Sequence, residues 1–354
     1  MLVVYEHWIR NKLGIKVLFF KRKPSILGVD IGTSDIKIVQ VTHDGVKPHL
    51  DTYGIVNLSY QLTTDDNGAV VAKAADILKQ LLEHAGATTK RCVISLPNSA
   101  VFTSIIEMPA LSEKDLEKAI QFEAKKYVPL PISEVILSWS IVGEHPETRT
   151  RSILLTAVPK HLRESYLRLF ALAGLELEVI EIEALALIRS LIFDTQSNHV
   201  IIDIGAKSTG INFIKQGFLQ LSRSVNVGGD TITTQIAQVL NISQGRAEQF
   251  KKDFGVSGGS FIPEAVRPVL ETIRNETKQL FTIYQAKGVD VGKVILVGGG
   301  SGLPGLTEFF GELGVPVELG NPLQALTYPA GVEAVLQRYA RHLPVAIGLA
   351  LNKE

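Results

Sequence analysis

Short apolar runs bounded by glycine turns alternate along this chain with longer stretches of helical spacing. Ile26, Leu27, Val29 and Ile31 lead into Gly32, Thr33 and Ser34, and the apolar pattern resumes at Ile36, Ile38 and Val39. This spacing predicts two strands joined by a tight turn. The pattern recurs: Val200, Ile201, Ile202 and Ile204 lead into Gly205, Ala206, Lys207 and Ser208, then Thr209, Ile211 and Phe213. Further strands are predicted over 48–57, 91–97, 102–108, 134–142, 152–158, 175–180, 217–227, 293–297 and 315–319. Val71, Ala74, Ala75, Leu78, Leu81 and Leu82 fall on one face of a helix over 70–85. Other helices are expected over 113–127, capped by Ser112 with Asp115 three residues on, and over 160–173, stopped by Gly174. Residues 183–193, 231–287 with a break near 255–263, 306–313 and 332–351 complete the helical set. Strands alternating with helices place the chain in the α/β class.

The order of these elements suggests a layout. Residues 25–102 and 179–197 form a first core half, with 103–178 inserted as a small α/β subdomain. Residues 198–230 and 289–354 form a second half, carrying a helical subdomain at 231–288. Residues 1–24 stand apart. There Trp8, Ile9, Leu13, Phe19 and Phe20 mix with Arg10, Lys12, Lys16, Lys21, Arg22 and Lys23. That composition suits a segment lying on an anionic membrane. It suits better a frayed tail, or a start codon read too early with translation beginning at Val17.

Composition narrows the function. The 354 residues carry no net formal charge, so there is no bulk electrostatic case for nucleic acid. Cys92 is the single cysteine, which excludes an internal disulfide. No apolar run approaches the roughly 20 residues needed to span a bilayer.

The repeated turn carries the chemistry. A glycine turn after a strand points backbone N–H groups and hydroxyls at one spot, which suits a phosphate. Asp30 and Asp203 end the two strands, and a carboxylate there suits magnesium and its waters. One such turn is weak evidence, since glycine after a strand is usually only a turn. Two copies in separate halves, followed by a third glycine loop over 298–305, make a much stronger set. That third loop, with Glu318 ending the next strand, also satisfies a dinucleotide fingerprint. Its late position argues against that reading, because the fingerprint normally occupies the first βα turn. The chain also lacks a Walker-type phosphate loop.

This ordered set of two Asp-Ile-Gly hairpins and a late Val-Gly-Gly-Gly-Ser loop resembles the actin-like ATPase superfamily. Within it the chain is most similar to the PilM family of type IV pilus assembly. The similarity rests on Gly28 to Ser34 with Lys37, on Val227-Gly228-Gly229-Asp230, and on Ala247-Glu248-Gln249-Phe250-Lys251, and it spans roughly residues 25–352. It implies two ribonuclease-H-like halves around a nucleotide cleft, with a small inserted subdomain of the kind FtsA carries. It implies that Gly32, Thr33, Ser34 and Lys37 meet phosphates from one side and Gly205, Ser208, Thr209 and Gly229 from the other. Asp30 and Asp203 would hold the Mg2+ shell, and Gly298, Gly299, Gly300 and Ser301 would back the adenosine. Glu248 and Lys251 would flank ribose and adenine, or form an ordinary exposed helix turn. Glu183 falls where such ATPases orient the attacking water; it is also a carboxylate favoured by a helix N-terminus.

The resemblance further implies an ATP-binding adaptor that binds the cytoplasmic N-terminal peptide of a PilN-like inner-membrane protein. It would couple that peptide to pilus motor ATPases and the platform protein, from a cytoplasmic position at the inner membrane. Membrane contact would come mainly through the partner, since the sequence closes at Leu351-Asn352-Lys353-Glu354 without the amphipathic anchor of FtsA-like proteins. Slow ATP hydrolysis is compatible with this role. Two alternatives share the fold. One is an FtsA-like division filament protein. The other is a small-molecule kinase, for which Glu113, Asp115 and Glu123 are the acids on offer, although in a lysine-rich helix they read as a solvated face.

Overall fold

Strand β1 (Ser25–Ile31) runs antiparallel to β2 (Asp35–Thr42), which runs antiparallel to β3 (His49–Asn57). A computed structural model describes residues 25–58, 68–256 and 261–353, so the basic segment 1–24 lies outside the described residues. Helix α1 (Gly68–Ala85) returns the chain to β4 (Arg91–Leu96), which lies parallel to β1 on its other side. β1 and β2 are buried almost throughout, because helices cover both faces of the sheet. On one face Leu27, Val29, Ile38 and Ile94 pack against Ala74 and Leu78 of α1.

An antiparallel unit follows: β5 (Phe102–Pro109), α2 (Glu113–Tyr127), β6 (Val135–His145) and β7 (Thr150–Pro159). Its three strands stand in the order β5-β7-β6. The core is its own, with Leu116, Ile120 and Ala124 of α2 against Ile106, Ile153 and Leu155. The Ser112 hydroxyl accepts the Asp115 N–H and so caps α2 as expected. The gap between the strands expected over 134–142 and 152–158 is shorter, since a bulge at Ile141/Gly143 carries the β6–β7 pairing on to His145 and Thr150.

Helix α3 (Lys160–Leu172) and strand β8 (Glu176–Ile182) belong to the first core, which corrects the expectation of an insert reaching residue 178. Leu162, Tyr166, Leu169 and Phe170 of α3 join the α1 cluster, and β8 lies parallel to β4 as an edge strand. The apolar stripe of α3 packs with α1 on the five-stranded sheet, and its pattern alone does not say which sheet it will face. The first sheet therefore reads β3-β2-β1-β4-β8.

Helix α4 (Glu183–Leu191) leads to the second half, where β9 (Asn198–Ile204), β10 (Thr209–Lys215) and β11 (Phe218–Val225) form an antiparallel meander. The expected long helix is three: α5 (Gly229–Leu240), α6 (Gln244–Phe254) and α7 (Phe261–Gln285). The added break comes at Asn241, which is left-handed with φ 49°, followed by Ser243, whose hydroxyl caps α6. β12 (Lys293–Val297), α8 (Leu306–Gly311) and β13 (Val317–Leu319) complete a sheet ordered β11-β10-β9-β12-β13. Strand directions match the first sheet position for position: antiparallel, antiparallel, then parallel twice.

The final stretch is also broken. α9 (Glu333–Tyr339) passes into a 3-10 turn at Ala340–His342, and α10 (Pro344–Ala350) starts afresh. Pro344 has no N–H to continue the preceding helix but suits the first turn of a new one. Every residue of α10 is buried. With α4 it lies between the two sheets, where Val345, Leu349, Ala186 and Leu187 meet Ile26 and Val93 from one side and Ile201 and Ile295 from the other. At Gly348 a Cβ would lie 1.9 Å from the Ala186 carbonyl oxygen, so the two helices touch backbone to backbone.

Candidate functional site

The two halves close their first turns in the same way. The Gly32 N–H donates to the Asp35 carbonyl at 2.9 Å, and the Gly205 N–H to the Ser208 carbonyl at 3.0 Å. Between these turns lies a cleft of about 1270 Å³. Asp30, Gly32, Thr33, Ser34 and Lys37 line it from the first half, and Asp203, Gly205 and Ser208 from the second. Glu183, Gly229, Glu248, Lys251 and Gly298, Gly299 and Gly300 also reach it. The residues singled out in the sequence thus converge, with two exceptions. The Thr209 hydroxyl is fully buried and donates to the Val227 carbonyl at 2.8 Å. The Ser301 hydroxyl donates to the Gly298 carbonyl at 2.8 Å and braces its own loop. Neither residue lines the cleft. Nor do Glu113, Asp115 or Glu123: Asp115 binds Ser112, and Glu123 pairs with Lys126.

The halves differ in charge. Register places Lys37 opposite Asp30, whereas Gly210 stands opposite Asp203. Lys37 Nζ lies 3.1 Å from Asp30 Oδ2 and 2.6 Å from Asp35 Oδ1. Burial pulls the Lys37 ammonium down, but Asp30 and Asp35 outweigh it and hold it above the ordinary lysine range. Burial raises the Asp30 carboxyl against the opposing pull of Lys37. Asp203 has no such partner; burial, then the nearby Asp30 charge, pushes it up to about 6. At Gly298, where φ is +84°, a Cβ would lie 2.3 Å from Asp203 Oδ1. The third loop therefore packs its bare backbone directly on the second carboxylate.

Glu183 opens α4 at the floor of the cleft, where one Oε accepts the Asn98 N–H at 3.1 Å. Burial, then Asp30 and Asp203, push its carboxyl up to about 8. Three carboxyl groups thus face one space and disfavour one another's ionised forms. Among the described residues no three His, Cys, Asp or Glu side chains stand close enough to grip a metal ion together. Carboxylate oxygens are hard donors of the type a divalent cation takes together with waters.

At the opposite end, Lys251 spends its three donors inside the protein, on the Gly229 carbonyl (3.0 Å), the Thr233 hydroxyl (2.8 Å) and Glu248 (2.6 Å). Burial opposes ionisation of Glu248, but Lys251 and Thr233 outweigh it and keep the carboxyl below its ordinary range. The Gly229 N–H is likewise used, on the Gly205 carbonyl at 2.9 Å, which docks the start of α5 on the second turn. Glu248 and Lys251 thus form a braced wall, with the exposed Lys252 beside them.

Sequence reasoning missed three contributors. Arg341 and His342 reach the third loop from the 3-10 turn before α10. The Arg341 carbonyl accepts the Gly298 N–H at 3.0 Å, and the His342 ring lies beside Gly299. Burial, then Arg341, lowers the His342 imidazole to about 4, so it is neutral at physiological pH. The one available signal was Pro344, which marks a helix restart. Asn98 falls between two predicted strands; its N–H holds Glu183, and among the described residues its buried Oδ1 has no partner.

Residues 28–354 match the family described as type IV pilus assembly protein PilM. Among solved structures, a PilM–PilN type IV pilus biogenesis complex is similar with a TM-score of 0.83 and 27% identity, covering 93% of this chain and 98% of that one. MreB 5 of Spiroplasma citri, bound to AMPPNP, is similar in fold alone, with a TM-score of 0.51 and 16% identity over 90% of this chain and 98% of that one. Cell division protein FtsA of Streptococcus pneumoniae serotype 2 is 24% identical over 364 residues, covering 86% of this chain and 77% of that protein. The doubled α/β architecture is the actin-like ATPase fold.

Proposed function

This chain belongs to the PilM family of type IV pilus assembly proteins, and from that premise we propose that it is an ATP-binding adaptor for a PilN-like inner-membrane protein. The observation that carries the nucleotide half of this reading is the pair of matching turns, each ending in a carboxylate, facing one cleft of about 1270 Å³. The donor set fits magnesium ATP. Asp30 and Asp203 offer hard oxygens to the one cleft, the donor type that magnesium takes with its waters. When bound, magnesium supplies neutralisation of the polyphosphate charge. Thr33, Ser34 and Ser208 present hydroxyls to the phosphates, and the third loop offers a flat backbone to the adenosine.

Any hydrolysis rests on Glu183. Held by the Asn98 N–H, its carboxylate orients a water for in-line attack once its proton has left. With the carboxyl pushed up to about 8, much of it is protonated at neutral pH in the free protein, which accords with slow turnover.

The partner half rests on likeness to the PilM–PilN complex. The adaptor takes the cytoplasmic N-terminal peptide of its partner and passes its nucleotide state toward pilus motor ATPases and the platform protein. No helix among the described residues is long and apolar enough to cross a membrane, which accords with attachment to the inner membrane through that partner.

The test pairs calorimetry with capture. Magnesium ATP binds the wild type, and Asp30→Ala and Asp203→Ala bind it far more weakly while keeping the wild-type circular dichroism. A synthetic N-terminal peptide of the PilN-like protein captures the chain, with a yield that changes when ATP is added. Unchanged ATP affinity in both folded variants would refute the site. Failure of the peptide to bind with or without ATP would refute the adaptor role.

A further inference from the structure

The duplication exposes an oddity in the first turn. Both turns close by the same glycine-to-carbonyl hydrogen bond, so Asp35 in the first half holds the place of Ser208 in the second. Ser208 lines the cleft with a neutral hydroxyl. Asp35 lines it with a carboxylate, and that carboxylate folds back over the turn: a Cβ on Gly32 would lie 2.6 Å from Asp35 Oδ1. The same oxygen takes Lys37 Nζ at 2.6 Å, closer than Asp30 does at 3.1 Å. Both side chains are shielded, at 16% exposure for Asp35 and 11% for Lys37. The turn therefore already holds an anion on Lys37, the cation that the nucleotide reading above gives to a phosphate.

We propose that Asp35 is an internal competitor for Lys37, and that it restricts the first turn to polyphosphate carrying a divalent cation. The inference rests on the nucleotide reading given above and concerns the specificity of that same site. A bare triphosphate arriving at this turn meets Asp30 and Asp35 against Lys37, with Asp203 across the cleft. Like charges a few ångströms apart in a shielded cleft repel strongly. A chelated triphosphate brings its own positive charge, which compensates the carboxylates and lets the phosphate displace Asp35 from Lys37. The second turn, with Ser208 and no lysine opposite its aspartate, makes no such demand.

The experiment measures ATP binding to the full chain by calorimetry, with excess magnesium and separately with EDTA. It compares wild type, Asp35→Asn and Asp35→Ser, the last copying the second turn, with circular dichroism to verify folding. The expected result is that either variant binds ATP in EDTA about tenfold tighter than wild type or more, the order of effect of removing one shielded charge. Affinity for magnesium ATP changes by much less. Adding Lys37→Ala to Asp35→Ser abolishes the gain in EDTA.

If wild type binds magnesium ATP while the folded variants show no gain in EDTA, or gain equally in both conditions, Asp35 is not the discriminating group and the nucleotide reading survives. If the folded wild type fails to bind magnesium ATP at all, both readings fall. Should Asp35→Asn not fold, Asp35→Ser decides alone.

Discussion

Asp203 and Gly298 are in direct contact: a Cβ on the glycine would lie 2.3 Å from Asp203 Oδ1 and 2.5 Å from the Ile204 carbonyl oxygen. The carboxylate that ends β9 and the turn that follows β12 are thus fitted to each other. The fit depends on a residue with no side chain and with φ at +84°. Gly298→Ala must both strain that backbone and push the third loop off the carboxylate. The expected cost is about 2–4 kcal/mol of stability, with nucleotide affinity lost in whatever remains folded. Denaturant melts and calorimetry on one preparation measure both.

Lys37 is the cation that makes the first turn tolerable. Lys37→Met leaves Asp30 and Asp35 shielded from water with their partner gone, and is expected to cost about 3 kcal/mol. Asp35→Asn in the same chain removes one of the stranded charges and restores part of the loss. A urea melt of the single and double variants reads the coupling; simple additivity would show that the contact carries no energy.

Glu183 and Asp203 set an expected pH dependence. Both carboxyls are raised in the native state, to about 8 and about 6, against ordinary values of 4.5 and 3.8. The folded protein therefore holds these protons more tightly than the unfolded chain. Stability is full below the ordinary values and falls as pH rises through the native ones. The ligand-free protein should lose thermal stability steadily from pH 5 to pH 9. Glu183→Gln is neutral throughout, so it should flatten the upper part of that slope and be more stable than wild type at pH 8.5, by about 1–3 kcal/mol. It should also lower ATP hydrolysis with little change in ATP binding. Parallel pH curves for the two proteins would show that the Glu183 proton is not linked to folding.

Gly348 lies outside the residues lining the cleft, yet the cleft depends on it. Gly348→Ala places a methyl group against the Ala186 backbone and wedges α10 from α4. The expected cost is on the order of 2–4 kcal/mol. Because these helices seat both sheets, nucleotide affinity should fall as well. Leu116→Ala, in the separate core of the inserted unit, should cost a similar amount without that loss of affinity. Equal effects on binding would mean that the two cores are not independent.

What could be read from the sequence was local in origin. The Asp-Ile-Gly turns, the Ser112 cap and the stop at Gly174 depend on residues within one turn of each other, and their chemistry is visible in any window. The glycine loop over 298–305 was legible for the same reason. What escaped depends on contacts between distant segments. Arg341 and His342 reach the third loop only because Pro344 restarts the chain as α10. Helix α3 has an ordinary amphipathic pattern, and nothing local says which sheet its stripe will face. Thr209 and Ser301 were placed at the ligand by the family resemblance, but each hydroxyl satisfies a neighbouring carbonyl. Lys251, implied to flank ribose and adenine or to sit on an exposed helix turn, lines the cleft while its donors close the start of α5.

The burial of α10 has a consequence for how this protein is made. Ile26 and Ile201 are translated well before residues 344–350, and α4 alone supplies only part of their cover until α10 arrives. Until then the nascent chain presents greasy sheet faces to its surroundings, the kind of surface that recruits chaperones or clumps. Chains cut short before Pro344 should consequently accumulate as insoluble material, even though every residue of both aspartate turns has already been translated.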